Sequence, residues 1–350
     1  MRNDRPLFTV ATATHNGSRY LAATIASVRA QSFEDWEYLV VDDASSDDSA
    51  AIVEEAAQRD RRIRLIRTRS NVGPAASLNV ALREARGALF ANLDHDDLAV
   101  PDRLQRQAEV LAQNPRIGVC GGAMRVVDEF GAIVDVITYA AEHESIHWRL
   151  TTQCEVCHST ASMRTDLLRE IGGYAESNWT ACDYDLFLRL RSRTRFANLE
   201  IPLVDYRLHR MQTSRMRFRQ QIFALQLLLL AHRPKGRDSA LTFDEIFYFI
   251  LGRNGEQFDS VQQLHAASTA AAVILNEYVE VHRLSESAYK MARADCARWL
   301  ATMALRHRTV YRDVARQLAA TAGTLDPKWR HSPVLRAMLN NPTWDAASQA

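Results

Sequence analysis

Asp94-His95-Asp96-Asp97 is the densest group of chemically capable side chains in the sequence. Two carboxylates two residues apart in a turn can both aim at one hard cation. A divalent ion held there would neutralise a diphosphate and help it leave. Acidic residues also favour turns and helix N-termini for purely structural reasons, and Asp97 fits that second role. A further acidic stretch, Asp42-Asp43-Ala44-Ser45-Ser46-Asp47, offers different chemistry. A carboxylate at the end of a strand can accept hydrogen bonds from a base N–H or a ribose hydroxyl. Asp42 or Asp43 is therefore assigned to binding, and Asp47 or Ser46 to capping the next helix. Read from its own residues, Asp183 is as well explained as a helix-cap carboxylate as by any chemical role. His209 alone reads as a packed or solvated histidine.

These side chains need a scaffold, and the apolar pattern supplies one. Residues 7–13 form a β-rich run that ends in His15-Asn16-Gly17-Ser18. Ser18 is placed to cap a helix in which Leu21, Ile25 and Val28 recur on one face. Strands are predicted at 36–41, 63–67 and 88–93, separated by helices that end near Arg59 and Arg86, and a fourth helix follows Pro101. Strand and helix thus alternate four times with short connections. That pattern predicts a doubly wound, mostly parallel α/β sheet with helices on both faces. In such sheets ligands bind outside the carboxyl ends of the strands. His15-Asn16, Asp42-Asp43, Asn71 and Asp94 to Asp97 all fall there, so several acidic groups converge on one crevice. Downstream, Asp128-Glu129-Phe130-Gly131 reads as a hairpin turn, with strands near 158–164 and 201–207 and a helix over 182–192. Beyond about 215 strand signals vanish and helical periodicity runs to about 340. The expected division is a 1–214 catalytic α/β domain and a 215–350 helical domain serving acceptor, oligomer or membrane-surface contacts.

Bulk properties narrow the classes. The chain has 350 residues, 47% hydrophobic and 24% charged, with a formal net charge of +1. No global field recruits nucleic acid, so an anion site must be built locally. The N-terminus lacks the apolar core of a signal peptide, and no run reaches the length of a membrane-spanning helix. A cytoplasmic protein is expected. Cys154-Glu155-Val156-Cys157-His158 has the spacing of a c-type haem attachment site, but an odd count of five cysteines with no export signal favours reduced structural thiols. Arg207, Arg210, Arg215, Arg217 and Arg219 read first as a solvated face. A diphosphate clamp comes second, and peripheral membrane docking through Arg215–Leu230 third.

Taken together, Thr12-Ala13-Thr14-His15-Asn16-Gly17, Val40 to Asp47, Asn71-Val72-Gly73, Leu93 to Asp97 and Pro101-Asp102-Arg103-Leu104 resemble the family 2 inverting glycosyltransferases of the GT-A fold in order and spacing. The resemblance covers roughly residues 7–215. It implies a nucleotide-sugar donor, UDP-linked by preference, and a saccharide or lipid-linked acceptor in surface polysaccharide or glycolipid synthesis. It implies that Asp43 with Asp42 contacts base and ribose, and that Thr12, Thr14, His15 and Asn16 line the nucleotide pocket with Asn71. Asp96, supported by Asp94 and His209, would hold Mn²⁺ or Mg²⁺ and the diphosphate. Asp183 would be the general base. Two positions depart from the family pattern: Cys182 stands where glutamate is common, and His15 where an aromatic is frequent.

Other enzyme classes lack their signatures. No G-x-G-x-x-G or G-x-x-x-x-G-K-S/T occurs, and the first loop is too poor in glycine for a sugar nucleotidyltransferase. A catalytically degenerate scaffold is the non-enzymatic alternative, and a homo-oligomer built through the helical C-terminus is compatible with either.

Overall fold

A computed structural model describes residues 5–178, 181–210 and 212, isolated residues between 224 and 258, and then 260–282, 284–307 and 312–333. The chain divides into two compact units, residues 1–150 with 154–221, and residues 151–153 with 222–350.

The first unit is a nine-stranded mixed sheet. Its parallel half is made of β1 (Phe8–Thr14), β2 (Trp36–Asp42), β3 (Ile63–Arg67) and β4 (Leu89–Asn92) in the order β3-β2-β1-β4. Three helices, α1 (Ser18–Arg29), α2 (Ser49–Arg59) and α3 (Pro74–Glu84), cross between these strands. Phe8, Val10, Tyr38, Val40, Leu89 and Ala91 are buried in the sheet, and Leu21, Ile25 and Val28 form the buried stripe of α1. Alternating β-branched and aromatic residues explain the strands, and the helical spacing explains the stripe.

Past β4 the sheet becomes mixed. After β5 (Leu98–Ala99) and α4 (Arg103–Gln113) comes β6 (Ile117–Val127), which forms a hairpin with β7 (Ile133–Ile137). The turn expected at Asp128–Gly131 is present, closed by Gly131 at φ +90° and by the Asp128 N–H donating to Ala132 O. Next are the short α5 (His143–Arg149), β8 (Ser162–Arg164) and α6 (Thr165–Glu170). The first unit ends with α7 (Cys182–Leu190) and the long β9 (Arg195–Arg207). β8 slots antiparallel between β4 and β6, and β9 runs parallel to β6. The fold class is therefore the expected α/β one, with a parallel half that carries the loops after β1, β2 and β3 and a mixed half that returns β9 towards Asp94–Asp97.

The second unit is helical, built of α8 (Val261–His282), α9 (Glu286–His307) and α10 (Arg312–Leu325). Its interior is rich in alanine: Ala267, Ala270, Ala271, Ala297, Ala301 and Ala304 are buried together with Leu264, Leu300 and Leu318. Small side chains allow close helix approach, and the Phe249–Trp299 ring pair, 4.9 Å between centroids, adds bulk. No described helix is long and apolar enough to cross a membrane. Arg215, Arg217 and Arg219, and most of the Ile222–Leu230 run, lie outside the described residues.

One local expectation is corrected. Ser18 does not cap α1: the N-cap is Gly17, with no side-chain cap. Asp47 supplies both ends of that task. Its Oδ2 accepts from Ser18 N at 3.0 Å, and its Oδ1 accepts from Ser49 N and Oγ at the start of α2. Although burial opposes the charged form, these donors hold the Asp47 carboxyl well below the ordinary range. One carboxylate thus joins the first turns of two helices.

Candidate active site

The loops after β1, β2, β3 and β4 lie along one edge, as parallel neighbours require. Along β1 and β2, Thr14 is in register with Asp42, and the Asp43 N–H donates to Thr14 O at 2.8 Å. His15 Nδ1 lies 2.7 Å from Asp43 O, and Asn16 Oδ1 accepts from Ser46 N at 2.8 Å. Asn16 and Ala44, one in each of these loops, lie in the left-handed region, at φ +54° and +53°. Asparagine tolerates that conformation and alanine does not. Ala44→Gly is expected to relieve the strain and raise stability by about 0.5–1 kcal/mol after glycine's own entropic cost. Denaturant unfolding measures it, and a destabilised variant would contradict it.

The other first-loop residues are placed as follows. Thr12 is wholly buried, its hydroxyl donating to Leu93 O at 2.6 Å and paired with Tyr38 Oη at 2.8 Å, so it holds the end of β4 from inside. Thr14 is buried beside Gly17, where a Cβ would meet Thr14 Oγ1 at 2.4 Å and the His95 ring at 2.6 Å. Asp42 is buried, accepting from Ser45 N and ion-paired to Arg67 Nε at 3.3 Å. Asp43 takes the Val72 N–H and the Thr68 hydroxyl on Oδ1, and the Gly73 N–H on Oδ2. Gly73 sits at φ +86°, a conformation natural to glycine, and the exposed Asn71 accepts from its N–H. Asp43 therefore shapes the 71–73 loop at the same edge of the sheet.

The Asp94–Asp97 turn is fixed from three sides. Thr24 of α1 donates to His95 O and Asp97 O. Arg103 of α4, 1% exposed, donates to Asn92 O at 2.7 Å and to Gln107 Oε1. Arg207, at the end of β9, donates its N–H to Asp97 Oδ1 and its Nε to Asp96 O, while its guanidinium lies over the Tyr20 ring. Arg207 is therefore buried in the site, not on a solvated face. Asp97 is likewise corrected from a turn or cap residue to an internal strut. Burial, with Asp96 and Asp94 adjoining, holds its carboxyl well above the usual range. Burial also pulls Arg103 down to about 10, against the opposing pull of Asp97 and Asp94. Arg103→Ala is expected to cost about 3–5 kcal/mol by stranding buried acceptors and carboxylates. A Tm within a degree or two of wild type would count against that.

Within the turn, Asp96 Oδ2 and His209 Nε2 are 2.8 Å apart, with both side chains about nine-tenths buried. Tyr20 packs against the His209 ring at 5.0 Å. Solvent reaches part of Asp94, yet removal from water in this concave site, with Asp96's charge beside it, raises its carboxyl above the usual range. Asp94 Oδ1 accepts from Asn92 Nδ2, and His158 Nδ1 lies 4.0 Å away. Among the described residues, no three acidic, histidine or cysteine side chains form a ready-made cation cage. The donor set nevertheless suits a small hard divalent ion, which takes one or two protein carboxylates and completes its shell with substrate phosphates and water. Two mutually repelling carboxylates also call for a positive charge.

Asp183 occupies the first turn of α7, partly exposed, and its carboxylate accepts no hydrogen bond from a described residue. Asp185, one turn face away, is buried and bound by Arg189 Nε at 2.7 Å. The charges of Asp94 and Asp183 both push the buried Tyr174 phenol well up, after burial itself, and both act on Cys182. Thr24 is the residue that local sequence patterns did not single out for the site; Arg103 stood out only within Pro101-Asp102-Arg103-Leu104, and Arg207 reads from sequence first as a solvated face and second as a diphosphate clamp. All five cysteines are free thiols. Burial, with nearby carboxylates, holds Cys154 well up and Cys157 at about 12, so neither is poised to react.

This fold agrees with the comparisons. Residues 9–172 match the glycosyl transferase family 2 model. EpsE of Bacillus subtilis, named as a glycosyltransferase, is 36% identical over 190 residues, covering 53% of this chain and 67% of EpsE. The chain belongs to glycosyl transferase family 2. In fold it is similar to Staphylococcus aureus TarS 1–349, solved also with UDP, at TM-score 0.53 and 18% identity over 93% of this chain and 91% of that one. Against the longer TarS chain it spans about half, 54%. A mannosyltransferase of Pyrobaculum calidifontis, solved with GDP-Man and Mn²⁺, is similar at TM-score 0.53 and 21% identity, covering 93% of this chain and 88% of that one.

Proposed function

We propose that the protein is an inverting, metal-assisted glycosyltransferase that moves a sugar from a nucleoside-diphosphate donor, UDP-linked by preference, to an acceptor hydroxyl. The observation that carries this reading is the Asp96–His209 pair beside Asp94 at the sheet's carboxyl edge, with His158 bonded to Tyr174 and packed on α7, the helix whose first turn carries Asp183. Family membership and the UDP-bound and Mn²⁺-bound proteins of similar fold support it.

In this scheme the loops at His15-Asn16 and Asp43 to Asn71 hold the nucleoside. Asp96, with Asp94 and His209, would hold Mn²⁺ or Mg²⁺, which would supply charge stabilisation for the departing diphosphate. The acceptor oxygen attacks the anomeric carbon as the bond to the diphosphate oxygen breaks, and its proton passes to Asp183. Attack from the face opposite the leaving group inverts the anomeric centre. The acceptor class is a surface saccharide or glycolipid. The catalytic unit is residues 1–214, with 215–350 contributing to acceptor or partner contacts.

A panel of UDP-, dTDP- and GDP-sugars with Mn²⁺ or Mg²⁺, read by thermal shift, tests the donor. A selective ligand at a hundredfold excess over Kd adds about 2.7 kcal/mol, several degrees in Tm. No shift with any of them would remove the pocket assignment, and retained anomeric configuration in the product, seen by NMR, would remove inversion.

A further inference from the structure

We propose that His158 and Tyr174 are positioning residues that hold the metal-side carboxylate Asp94 and the base-bearing helix α7 in one geometry, an inference that rests on the function proposed above. The basis is a continuous, partly buried hydrogen-bond chain. Asn92 Nδ2 donates to Asp94 Oδ1 at 3.0 Å and meets His158 Nδ1 at 3.1 Å. An amide nitrogen can only donate, so Nδ1 of the neutral imidazole accepts and Nε2 carries the proton. That Nε2–H then donates to Tyr174 Oη at 2.9 Å. Tyr174 is itself clamped by Asn79 of α3, whose Oδ1 takes the Tyr174 N–H at 2.8 Å and whose Nδ2 donates to Tyr174 O at 2.9 Å.

The clamp leaves no slack. A Cβ on Gly173, at φ +70°, would meet Asn79 Oδ1 at 2.4 Å. The imidazole is set edge-on to Tyr174 and to Phe187 of α7, at 5.5 and 6.4 Å between centroids, and Phe187 packs in turn on Phe196 of β9. One side of His158 thus touches the residues that orient Asp94, and the other touches the helix whose first turn carries Asp183. A satisfied, partly buried network of this kind specifies one arrangement, and small misplacement of reacting groups costs up to about 10²-fold in rate.

The test compares Tyr174→Phe, His158→Ala, His158→Gln and Asp183→Asn in the full chain, with Tm, kcat and donor KM measured for each. Tyr174→Phe and His158→Ala are expected to fold with Tm within a few degrees of wild type, to keep donor KM within about threefold, and to lose kcat by about 10- to 100-fold. His158→Gln, whose amide can donate towards Tyr174, is expected to recover most of that loss. Full kcat in Tyr174→Phe, or a loss seen only in KM, overturns the positioning role, as does a His158→Gln no better than His158→Ala. If His158→Ala fails to fold, Tyr174→Phe, which removes a single oxygen, decides. An active Asp183→Asn would overturn the underlying function; an inactive Asp183→Asn beside a fully active Tyr174→Phe overturns the pair's role alone.

Discussion

Asp183→Asn is expected to lower kcat by about 10²- to 10⁴-fold while leaving donor binding and Tm near wild type. The asparagine keeps the shape and the helix-start position but cannot take a proton from the acceptor hydroxyl. The contrast with Asp185 makes the prediction specific. Both acids lie in the first turn of α7, yet Asp185 is buried and committed to Arg189, which also donates to Ile171 O and Gly173 O. Asp185→Asn should therefore reduce stability first, whereas Asp183→Asn should reduce turnover alone. Steady-state kinetics with thermal melts on both variants separate the two. Equal loss of Tm in both would make Asp183 structural.

Asp96→Ala is the second large effect. It removes the carboxylate that faces His209 and leaves the ring without its 2.8 Å partner. Losing the charge stabilisation that an ion provides at the leaving diphosphate costs several kcal/mol, on the order of 10³-fold in kcat/KM. Unlike Asp183→Asn, this variant is expected to lose the Mn²⁺ dependence of donor binding as well. Its fold should survive, because Asp97 and the Asp96 carbonyl, which engage Arg207, both remain. Titration calorimetry of UDP with and without Mn²⁺ checks this, and metal-enhanced binding that persists in the variant would move the ion elsewhere.

Much of the scaffold was legible because its signals are local. The β-branched runs of β1 and β2 and the Leu21, Ile25, Val28 stripe each announce an element within a dozen residues. So did the placement of Asp43 and Asp94–Asp97 at strand ends. What escaped was long-range. Arg207 reaches Asp96 across 111 residues and Asp47 reaches Ser18 across 29, and neither pairing leaves a trace in local spacing. Arg207 looked like one of five surface arginines until β9 brought it beneath the acidic turn. Asp97 looked like a turn residue until burial and the Arg207 N–H gave it an internal role. The short β5, α5 and α6 also went unread, since two to seven residues carry too little periodicity.

Calorimetric binding of UDP with Mn²⁺ to Asp96→Ala and Asp183→Asn, side by side with wild type, is the most direct check on a cleft with a diphosphate side and an acceptor side. Binding lost in Asp96→Ala and retained in Asp183→Asn is the predicted result. Equal binding in all three, or loss in Asp183→Asn alone, would contradict it.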